Sequence, residues 1–250
     1  MSKVKRYLIL ADLHYPFYDL PAWKAVLSYA KENRVDGVVL LGDFLDNQNV
    51  SHHTKDKPRL RKRGGYKEDL DGFVKDILDP LEERLPRGCL KVMLFGNHER
   101  FLEDLLDEQP ELEGAIGIAE NLHAKERGWK VIPVGGHYKL NNVVLMHGDQ
   151  VGSGMNVAQK MVNETCRISL MGHVHRFSGF TKIGVEARDK WVGITLPCLS
   201  TLAPEYAKGK HNAFIHGFGI VESWGKHKVN IYVPIITKGQ FSFNGRIYGR

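Results

Sequence analysis

The feature that most constrains this chain is a recurring pattern in which a mainly apolar, strand-like run is followed by aspartate, asparagine or histidine residues. The runs at residues 4–11, 35–41 and 90–95 are apolar and free of proline, which favours buried strands. The motifs that follow these and two later runs are Asp12-Leu13-His14, Gly42-Asp43-Phe44-Leu45-Asp46, Gly96-Asn97-His98-Glu99, His147-Gly148-Asp149 and Gly172-His173-Val174-His175. Because ligands bind outside the carboxyl ends of strands in open α/β sheets, we expect these motifs to converge.

The residue types and their spacing indicate a metal site. Side chains two apart in a strand point the same way, so Asp12 and His14 are expected to reach one ion if the extended conformation continues past the strand. Glycines precede Asp43, Asn97 and His173, and they let the backbone approach the ions closely. The mixture of carboxylate, carboxamide and imidazole suits divalent ions such as Mn²⁺, Fe²⁺ or Zn²⁺.

The segments between the strand-like runs predict the fold class. Residues 20–33 and 66–84 have helical spacing, with an interruption expected near Pro80. Strands that alternate with helices indicate a layered α/β domain. Further along the chain we predict helices at 100–109, 111–127 and 155–164, strands at 130–134 and 167–171, a hairpin at 137–148 that turns at Asn141-Asn142, and strand-like segments from 181 onward.

Residues 1–250 are expected to form one domain, in which a strongly basic stretch near 48–65 is an inserted loop. No run approaches the ~20 apolar residues of a membrane helix, and the N-terminal run is too short for a signal peptide. Cys89, Cys166 and Cys198 are far apart, which favours a reducing compartment over a disulfide framework. We therefore expect a cytoplasmic protein, in a host cell if a phage encodes it. The oligomeric state stays open.

In their order and context, the motifs D-x-H, G-D-x-x-D, G-N-H-E, H-G-D and G-H-x-H resemble those of the calcineurin-like metallophosphoesterases. The resemblance spans residues 7 to about 176. It implies two facing mixed β-sheets, a β-sandwich, flanked by α-helices in a four-layer α/β fold. It also implies a hydrolase that uses two divalent metal ions a few ångströms apart to cleave a phosphoester.

By this resemblance, the first ion takes Asp12, His14, Asp43 and His175. The second ion takes Asn97, His147 and His173, and the carboxylate of Asp43 bridges both ions. A bridging hydroxide would attack phosphorus in line, because two cations lower the pKa of a bound water steeply. Manganese is the expected metal, with iron, zinc, nickel and magnesium as alternatives.

The same resemblance gives His98 a catalytic role, either as the acid that protonates the leaving oxygen or as a group that steadies the phosphoryl charge. Glu99 is expected to orient His98 through a carboxylate–imidazole contact. Asp46 and Asp149 are candidates for supporting the ligands or for capping turns. Further candidates for contact with substrate phosphate, against the alternative of a solvated surface, are Arg100, Arg176, His52 and His53.

Three functions remain open on the sequence alone. The first is a phosphodiesterase that acts on nucleic acid or nucleotides. It is favoured by the net charge of +6 and by the basic loop with Arg61, Lys62 and Arg63. It is also favoured by a difference from the protein Ser/Thr phosphatases of this superfamily, which carry G-D-x-V-D-R-G with an arginine that binds the phosphate. This chain has Asn47 and Gln48 after Asp46, so that arginine and the following glycine are missing. The alternatives are a phosphomonoesterase for phosphoproteins or small metabolites, and a non-catalytic scaffold with the same fold.

Overall fold

The computed structural model describes residues 3–57, 65–184, 190–204 and 212–249, apart from the side chain of His53. The helices are α1 (Leu20–Glu32), α2 (Tyr66–Phe73), α3 (Asp79–Glu82), α4 (Asn97–Glu108), α5 (Ile118–Asn121) and α6 (Val157–Thr165). The strands are β1 (Lys5–Leu10), β2 (Gly37–Leu41), β3 (Leu90–Leu94), β4 (Lys130–Ile132), β5 (His137–Leu140), β6 (Val143–Met146), β7 (Ile168–Met171), β8 (Ser178–Ile183), β9 (Lys190–Thr195), β10 (His216–Gly217), β11 (Gly219–Ser223), β12 (Val229–Tyr232), β13 (Ile235–Ile236), β14 (Phe241–Phe243) and β15 (Arg246–Tyr248).

Most of the strands belong to two mixed sheets. The first sheet has six strands in the order β12-β11-β1-β2-β3-β4, of which β1 to β4 run parallel. The second has five strands in the order β5-β6-β7-β9-β8, with β6, β7 and β9 parallel and the edge strands antiparallel to their neighbours. The parallel strands bring the ends of β1, β2 and β3 to one edge of the first sheet, and those of β6 and β7 to one edge of the second.

The two sheets pack face to face, and helices cover their outer faces. Along β1, Leu8 and Leu10 face the helices, whereas Tyr7 and Ile9 pack against residues of the second sheet such as Leu170. Helix α6 covers the other face of the second sheet. Because both faces are buried from Tyr7 onward in β1 and throughout β2, these stretches are continuously apolar instead of alternating. The predicted architecture of two facing mixed sheets flanked by helices is confirmed.

The predicted interruption near Pro80 is confirmed only in part. The α-helix gives way to a π-helical turn at Val74–Leu78, but helix α2, this turn and helix α3 follow one another without a gap in the helical run. Pro80 has no N–H to give to the Asp76 carbonyl four residues earlier. The indole Nε1 of Trp23 in α1 donates to that oxygen instead, at 3.0 Å. The helical run continues because a contact from another helix satisfies the carbonyl that proline leaves unpaired.

The predicted helix at 111–127 is wrong. That segment contains only the end of a 3-10 turn, Pro110–Leu112, and the single turn of α5. Gly114 adopts a φ of 78°, a conformation outside the right-handed helical region. The hairpin of β5 and β6 is confirmed, with Asn141 left-handed at the turn. In the part of the chain that the structure describes, no helix has the length and apolarity to cross a membrane.

Candidate metal centre

The predicted motifs lie together at the carboxyl ends of the parallel strands. Asp12 follows β1, Asp43 follows β2 and Asn97 begins α4 after β3, while His147 follows β6 and His173 follows β7. Both sheets therefore contribute residues to one cleft. Within this cleft, the ring and carboxylate atoms form close groups, of which Asp12–His14–His175 and Asp43–His147–His173 are two.

The backbone at the ends of β1 and β2 is not extended. Asp12, His14 and Asp43 have φ values of 55°, 49° and 49°, and His173 and His175 have 66° and 54°. The expected strand-like alternation of Asp12 and His14 is therefore wrong. Their side chains converge through left-handed turns, which are rare for residues with a Cβ and which concentrate at functional sites.

The glycines that precede the ligand residues allow the predicted close approach. A Cβ at Gly42 would lie 2.4 Å from Nδ1 of His147, and one at Gly96 would lie 2.3 Å from Oδ1 of Asp43. These separations are far below van der Waals contact, so a side chain at either position would displace a candidate ligand. Gly42 also has a φ of 88°, which a residue with a Cβ rarely adopts.

The first candidate ligand group consists of Asp12, His14 and His175. Nε2 of His14 lies 3.1 Å from Nε2 of His175, and the latter lies 3.5 Å from Oδ1 of Asp12. Nδ1 of His14 is held by Oδ1 of Asp46 at 3.0 Å, which directs Nε2 toward the cluster. All three members are buried, with exposed fractions of 0%, 6% and 5%.

The second candidate ligand group consists of Asp43, His147 and His173, together with Asn97. Nε2 of His147 lies 3.2 Å from Oδ2 of Asp43 and 3.0 Å from Oδ1 of Asn97. Nδ1 of His147 donates to the carbonyl of Leu41 at 3.0 Å, so its Nε2 faces the cleft. The ring of His173 lies 5.2 Å from that of His147. His173 and Asn97 are only partly buried, unlike the first group.

Asp43 lies between the two groups. Its Oδ2 is 3.8 Å from Nε2 of His14 and 3.2 Å from Nε2 of His147, whereas its Oδ1 accepts the backbone N–H of His98 at 2.9 Å. Burial raises the pKa of Asp43, but the neighbouring imidazoles of His147 and His98 outweigh this and hold it well below its ordinary value. A carboxylate in this position can touch two ions at once.

These residues fit a pair of divalent ions. Two ring nitrogens that face each other at 3.1 Å can share only one proton, whereas an ion between them would satisfy both lone pairs. Burial lowers the pKa of His147, but the charge of Asp43 more than offsets this effect and raises the pKa to about 10. Burial likewise lowers the pKa of His175, and Asp12 raises it well above its ordinary value. The carboxylates therefore stabilise positive charge in the positions where the ligands converge.

His98 is held in the cleft by the motif that follows β2. Its Nδ1 donates to the backbone carbonyl of Asp46 at 2.7 Å, and its Nε2 lies 4.0 Å from Oδ2 of Asp43. The side-chain amide of Asn47 donates to the His98 carbonyl at 3.0 Å. Burial lowers the pKa of His98, but the charges of Asp43 and Asp46 raise it above its ordinary value. Asp46 thus orients two histidines, His14 through its side chain and His98 through its backbone.

The predicted contact between Glu99 and His98 is wrong. Glu99 is fully buried, and its carboxylate accepts the backbone N–H groups of Asp43, Leu45 and Gly96 at 2.9, 3.0 and 2.7 Å. Burial and the charge of Asp43 raise the pKa of Glu99 to about 7, against the lowering effect of these hydrogen bonds. Glu99 therefore fixes the turn that carries Asp43 and does not face the cleft as a catalytic group.

The remaining candidates have partners within the protein. Arg100 and Asp149 form an ion pair at 3.0 Å that joins α4 to the loop after β6. Arg176 donates to the carbonyl oxygens of Ser153 and Gly154 at 2.7 and 2.8 Å. His52 lies 3.6 Å from Asp104 of α4. These contacts give each side chain a partner within the protein, and they direct the guanidinium of Arg176 at the backbone.

Some predicted contributors lie outside the described residues. Arg61, Lys62 and Arg63 fall in the stretch 58–64, and for His53 only the backbone is described. Conversely, sequence reasoning missed Asn47, which is 4% exposed and supports His98, and Phe214, whose ring lies 4.5 Å from that of His175. Asn47 directly follows the second motif, so its position was a usable signal. Phe214 follows no motif, and nothing in the sequence marks it.

Comparison with known proteins agrees with the motifs. The family model for calcineurin-like phosphoesterases matches residues 5–191. The chain is 27% identical to the Gene 54 protein of Mycobacterium phage L5, over 98% of each chain. Among solved structures it is similar to Vacuolar Protein Sorting 29 from Cryptosporidium parvum, with a TM-score of 0.47 and 14% identity over 99% of each chain. It is also similar to a dimetal phosphatase from Danio rerio, with a TM-score of 0.40 and 13% identity over 91% of this chain and 98% of the other. Since the family model covers most of its length, the chain belongs to the calcineurin-like phosphoesterase family.

Proposed function

We propose that this protein is a metal-dependent phosphodiesterase that acts on nucleic acid or nucleotides. The observation that carries the proposal is the position of Asp43, whose Oδ2 lies within 4.0 Å of His14, His98 and His147. One carboxylate thus joins the two candidate ligand groups to His98, whose ring lies beside that of His14. This arrangement supports hydrolysis of a phosphoester in preference to a purely structural metal site.

The residues that would hold the ions follow from the two groups. Asp12, His14 and His175 would hold one ion, whereas Asn97, His147 and His173 would hold the other, and Asp43 would serve both. The ions, when bound, supply a water of lowered pKa as nucleophile and neutralise the phosphoryl oxygens. We expect Mn²⁺ to support activity, with Fe²⁺, Zn²⁺, Ni²⁺ and Mg²⁺ as the other ions to test.

His98 is the residue that would deliver a proton. Its Nδ1–H is committed to the carbonyl of Asp46 at 2.7 Å, so Nε2 is the atom available to the substrate. In the reaction, water adds to phosphorus and one P–O ester bond breaks. The leaving oxygen takes the proton from Nε2 of His98, which yields an alcohol and a phosphomonoester.

Leaving-group dependence tests this role. Replacement of His98 by alanine should lower kcat about 10²–10⁴-fold on a diester with a poor leaving group, and metal content should stay close to that of the wild type. The loss should be smaller with a para-nitrophenyl ester, whose leaving oxygen hardly needs a proton. Equal losses on both esters would instead favour electrostatic stabilisation by His98.

The residue at position 47 supports a diester over a monoester. The related phosphatase motif has an arginine there, which binds the phosphate. Here Asn47 is buried, and its amide donates to the carbonyl of His98. A monoester carries more negative charge than a diester, so it loses more when a guanidinium is absent. We therefore expect the centre to prefer the singly charged diester.

A substrate panel tests the reaction class. The purified protein should hydrolyse bis(para-nitrophenyl) phosphate faster than para-nitrophenyl phosphate when loaded with Mn²⁺. The Asp43→Asn variant should hydrolyse neither ester above background, which controls for contaminating enzymes. A clear preference for the monoester would identify a phosphomonoesterase. Absence of turnover on every ester and with every metal would favour the scaffold alternative.

The nucleic-acid part of the proposal rests on the basic loop. The sequence places Arg61, Lys62 and Arg63 in a stretch that begins soon after the second motif. Their replacement by glutamine should raise KM for an oligonucleotide and flatten its salt dependence, because each lost phosphate contact removes roughly 0.7–0.9 from the log–log slope. A small nitrophenyl diester has no flanking phosphates, so its KM should respond far less. Equal responses of both substrates would remove the loop from substrate binding.

A further inference from the structure

Aromatic rings form a continuous row across the candidate metal centre. Phe214 lies 4.5 Å from His175, His175 lies 5.0 Å from His14, His14 lies 4.4 Å from His98, and His98 lies 4.9 Å from Phe101, all measured between ring centroids. The row therefore has histidines in its middle and a phenylalanine at each end. The phosphate must lie near the histidines, so the two phenylalanines flank its position.

The two phenylalanines lie outside the apolar clusters of the core. Both are partly exposed, and neither belongs to the three apolar clusters formed by the described residues. Phe101 projects from α4, where it contacts the rings of His98 and His52. Phe214 contacts His175, and its backbone N–H is held by the side chain of Asn212 at 3.2 Å. Apolar rings on either side of a polar cleft provide surfaces on which flat organic groups can stack.

We propose that Phe101 and Phe214 are the binding sites for the two organic groups of a diester substrate, and that each of these groups is or carries an aromatic ring, such as the base of a nucleoside. This inference rests on the proposed diesterase function. Phe101 neighbours His98, the residue that faces the leaving oxygen, so it binds the leaving group. Phe214 neighbours His175 at the other end of the row, so it binds the group that stays on phosphorus.

The chemistry of stacking fits this substrate class. Stacking of a base on an aromatic side chain is insensitive to the identity of the base, because every base has a π-face. A monoester has only one organic group and would use one ring, whereas a diester uses both. The two rings therefore favour diesters, and this effect adds to that of the missing arginine at position 47.

The test uses two diesters that share a leaving group. Methyl para-nitrophenyl phosphate retains a methyl group, and bis(para-nitrophenyl) phosphate retains an aromatic ring. The Phe214→Leu variant should lower kcat/KM on the bis ester roughly 5- to 30-fold, and less on the methyl ester. The Phe101→Leu variant should lower kcat/KM on both esters by a similar factor, because both lose para-nitrophenol. Replacement of either residue by tryptophan should restore the wild-type pattern.

Several readouts separate this inference from a structural role. Phe177→Leu, at a half-exposed phenylalanine outside the row, should leave the ratio of the two kcat/KM values as in the wild type. Metal content of the Phe214→Leu variant shows whether the candidate ligand His175 remains in place. If Phe214→Leu lowers kcat/KM by the same factor on both esters, the ring only supports His175 and the inference is overturned. If the wild-type protein hydrolyses neither diester, the proposed function itself fails.

Discussion

The two candidate ligand groups of this centre differ in how firmly the fold holds them. Asp12, His14 and His175 are almost completely buried, and all three have left-handed backbone conformations. In the second group, His173 and Asn97 are partly exposed, and Asn97 lies at the start of a helix. A buried, preformed group binds an ion tightly, whereas an open group leaves room for water and substrate. We therefore expect the first group to bind an ion more tightly than the second group does.

The pairing of β1 with β2 explains the rigidity of the first group. Beyond the ends of these strands, the N–H of Asp12 donates to the carbonyl of Gly42 at 3.2 Å, and the N–H of His14 donates to the carbonyl of Asp43 at 2.9 Å. Left-handed residues with a Cβ carry about 1–3 kcal/mol of strain each, so they persist only where surrounding contacts hold them. Here the continued hydrogen bonding between strand ends provides that support.

The largest effect is expected at the residue that both groups share. Asp43→Ala should abolish activity and reduce bound metal below two ions per chain, because each group loses a ligand. Asp71→Ala, at an exposed carboxylate on α2, is the matched control and should retain both ions. Elemental analysis after gel filtration gives the stoichiometry. Two tightly bound ions in Asp43→Ala would contradict the bridging position.

Removal of one ligand from each group tests the difference between them. His14→Ala should weaken the more tightly bound ion, whereas Asn97→Ala should weaken only the less tightly bound ion and leave about one ion per chain. Mn²⁺ titration by calorimetry resolves the two binding steps in each variant. The proposed difference between the groups is wrong if both variants lose the same Mn²⁺ binding step, or if Asn97→Ala loses the step of higher affinity.

A smaller effect is expected at Glu99, which anchors the turn of Asp43 without facing the cleft. In Glu99→Ala, the backbone N–H groups of Asp43, Leu45 and Gly96 lose the acceptor that they have in the folded protein. We expect the free energy of unfolding of the metal-free protein to fall by about 1–3 kcal/mol, measured in denaturant near pH 6, below the raised pKa of Glu99, so that the substitution removes no buried charge. Glu103→Ala, at an exposed position of the same helix, should change it by much less. Equal stability of the two variants would show that the turn does not depend on Glu99.

The sequence was sufficient to locate the site because each motif follows a strand whose end position is determined by hydrophobic burial. For that reason, the sequence predicts that Asp12, Asp43 and His147 lie close together. The left-handed turns could not be predicted, since they depend on hydrogen bonds between the ends of β1 and β2. Local spacing predicts extended backbone at Asp12 and His14, and tertiary contacts override it.

The same limit applies to Glu99 and to the helical run after residue 65. Sequence adjacency favours a contact of Glu99 with His98. Besides the local N–H of Gly96, the carboxylate of Glu99 instead accepts the N–H groups of Asp43 and Leu45, which lie far from it in the chain. Pro80 interrupts the α-helix, but the helical run continues, and Trp23 donates to the Asp76 carbonyl to which proline cannot donate. In each case a partner distant in sequence determines the outcome.

The smallest effect is expected at the rim of the centre, where Asp69 of α2 accepts a hydrogen bond from Asn49 at 2.8 Å. Burial, and then the charges of Asp46 and Glu68, raise the pKa of Asp69 from 3.8 to about 6, although the bond from Asn49 opposes the shift. A carboxyl group with a raised folded-state pKa is harder to ionise in the folded protein than in the unfolded chain. The free energy of unfolding should therefore fall as pH rises from about 4 to about 6, and no further above that.

Substitution of Asp69 and its partner isolates this contribution. Asp69→Asn should remove the decline and make the protein more stable than the wild type above about pH 6, by less than about 1 kcal/mol because the group is half exposed and screened by solvent. Asn49→Ala removes the bond that lowers the pKa of Asp69, so the decline should extend to higher pH and become larger in total. Denaturant unfolding of the metal-free protein across this pH range measures both effects. If Asp69→Asn is less stable than the wild type above about pH 6, the ionised carboxylate stabilises the rim and the sign is reversed.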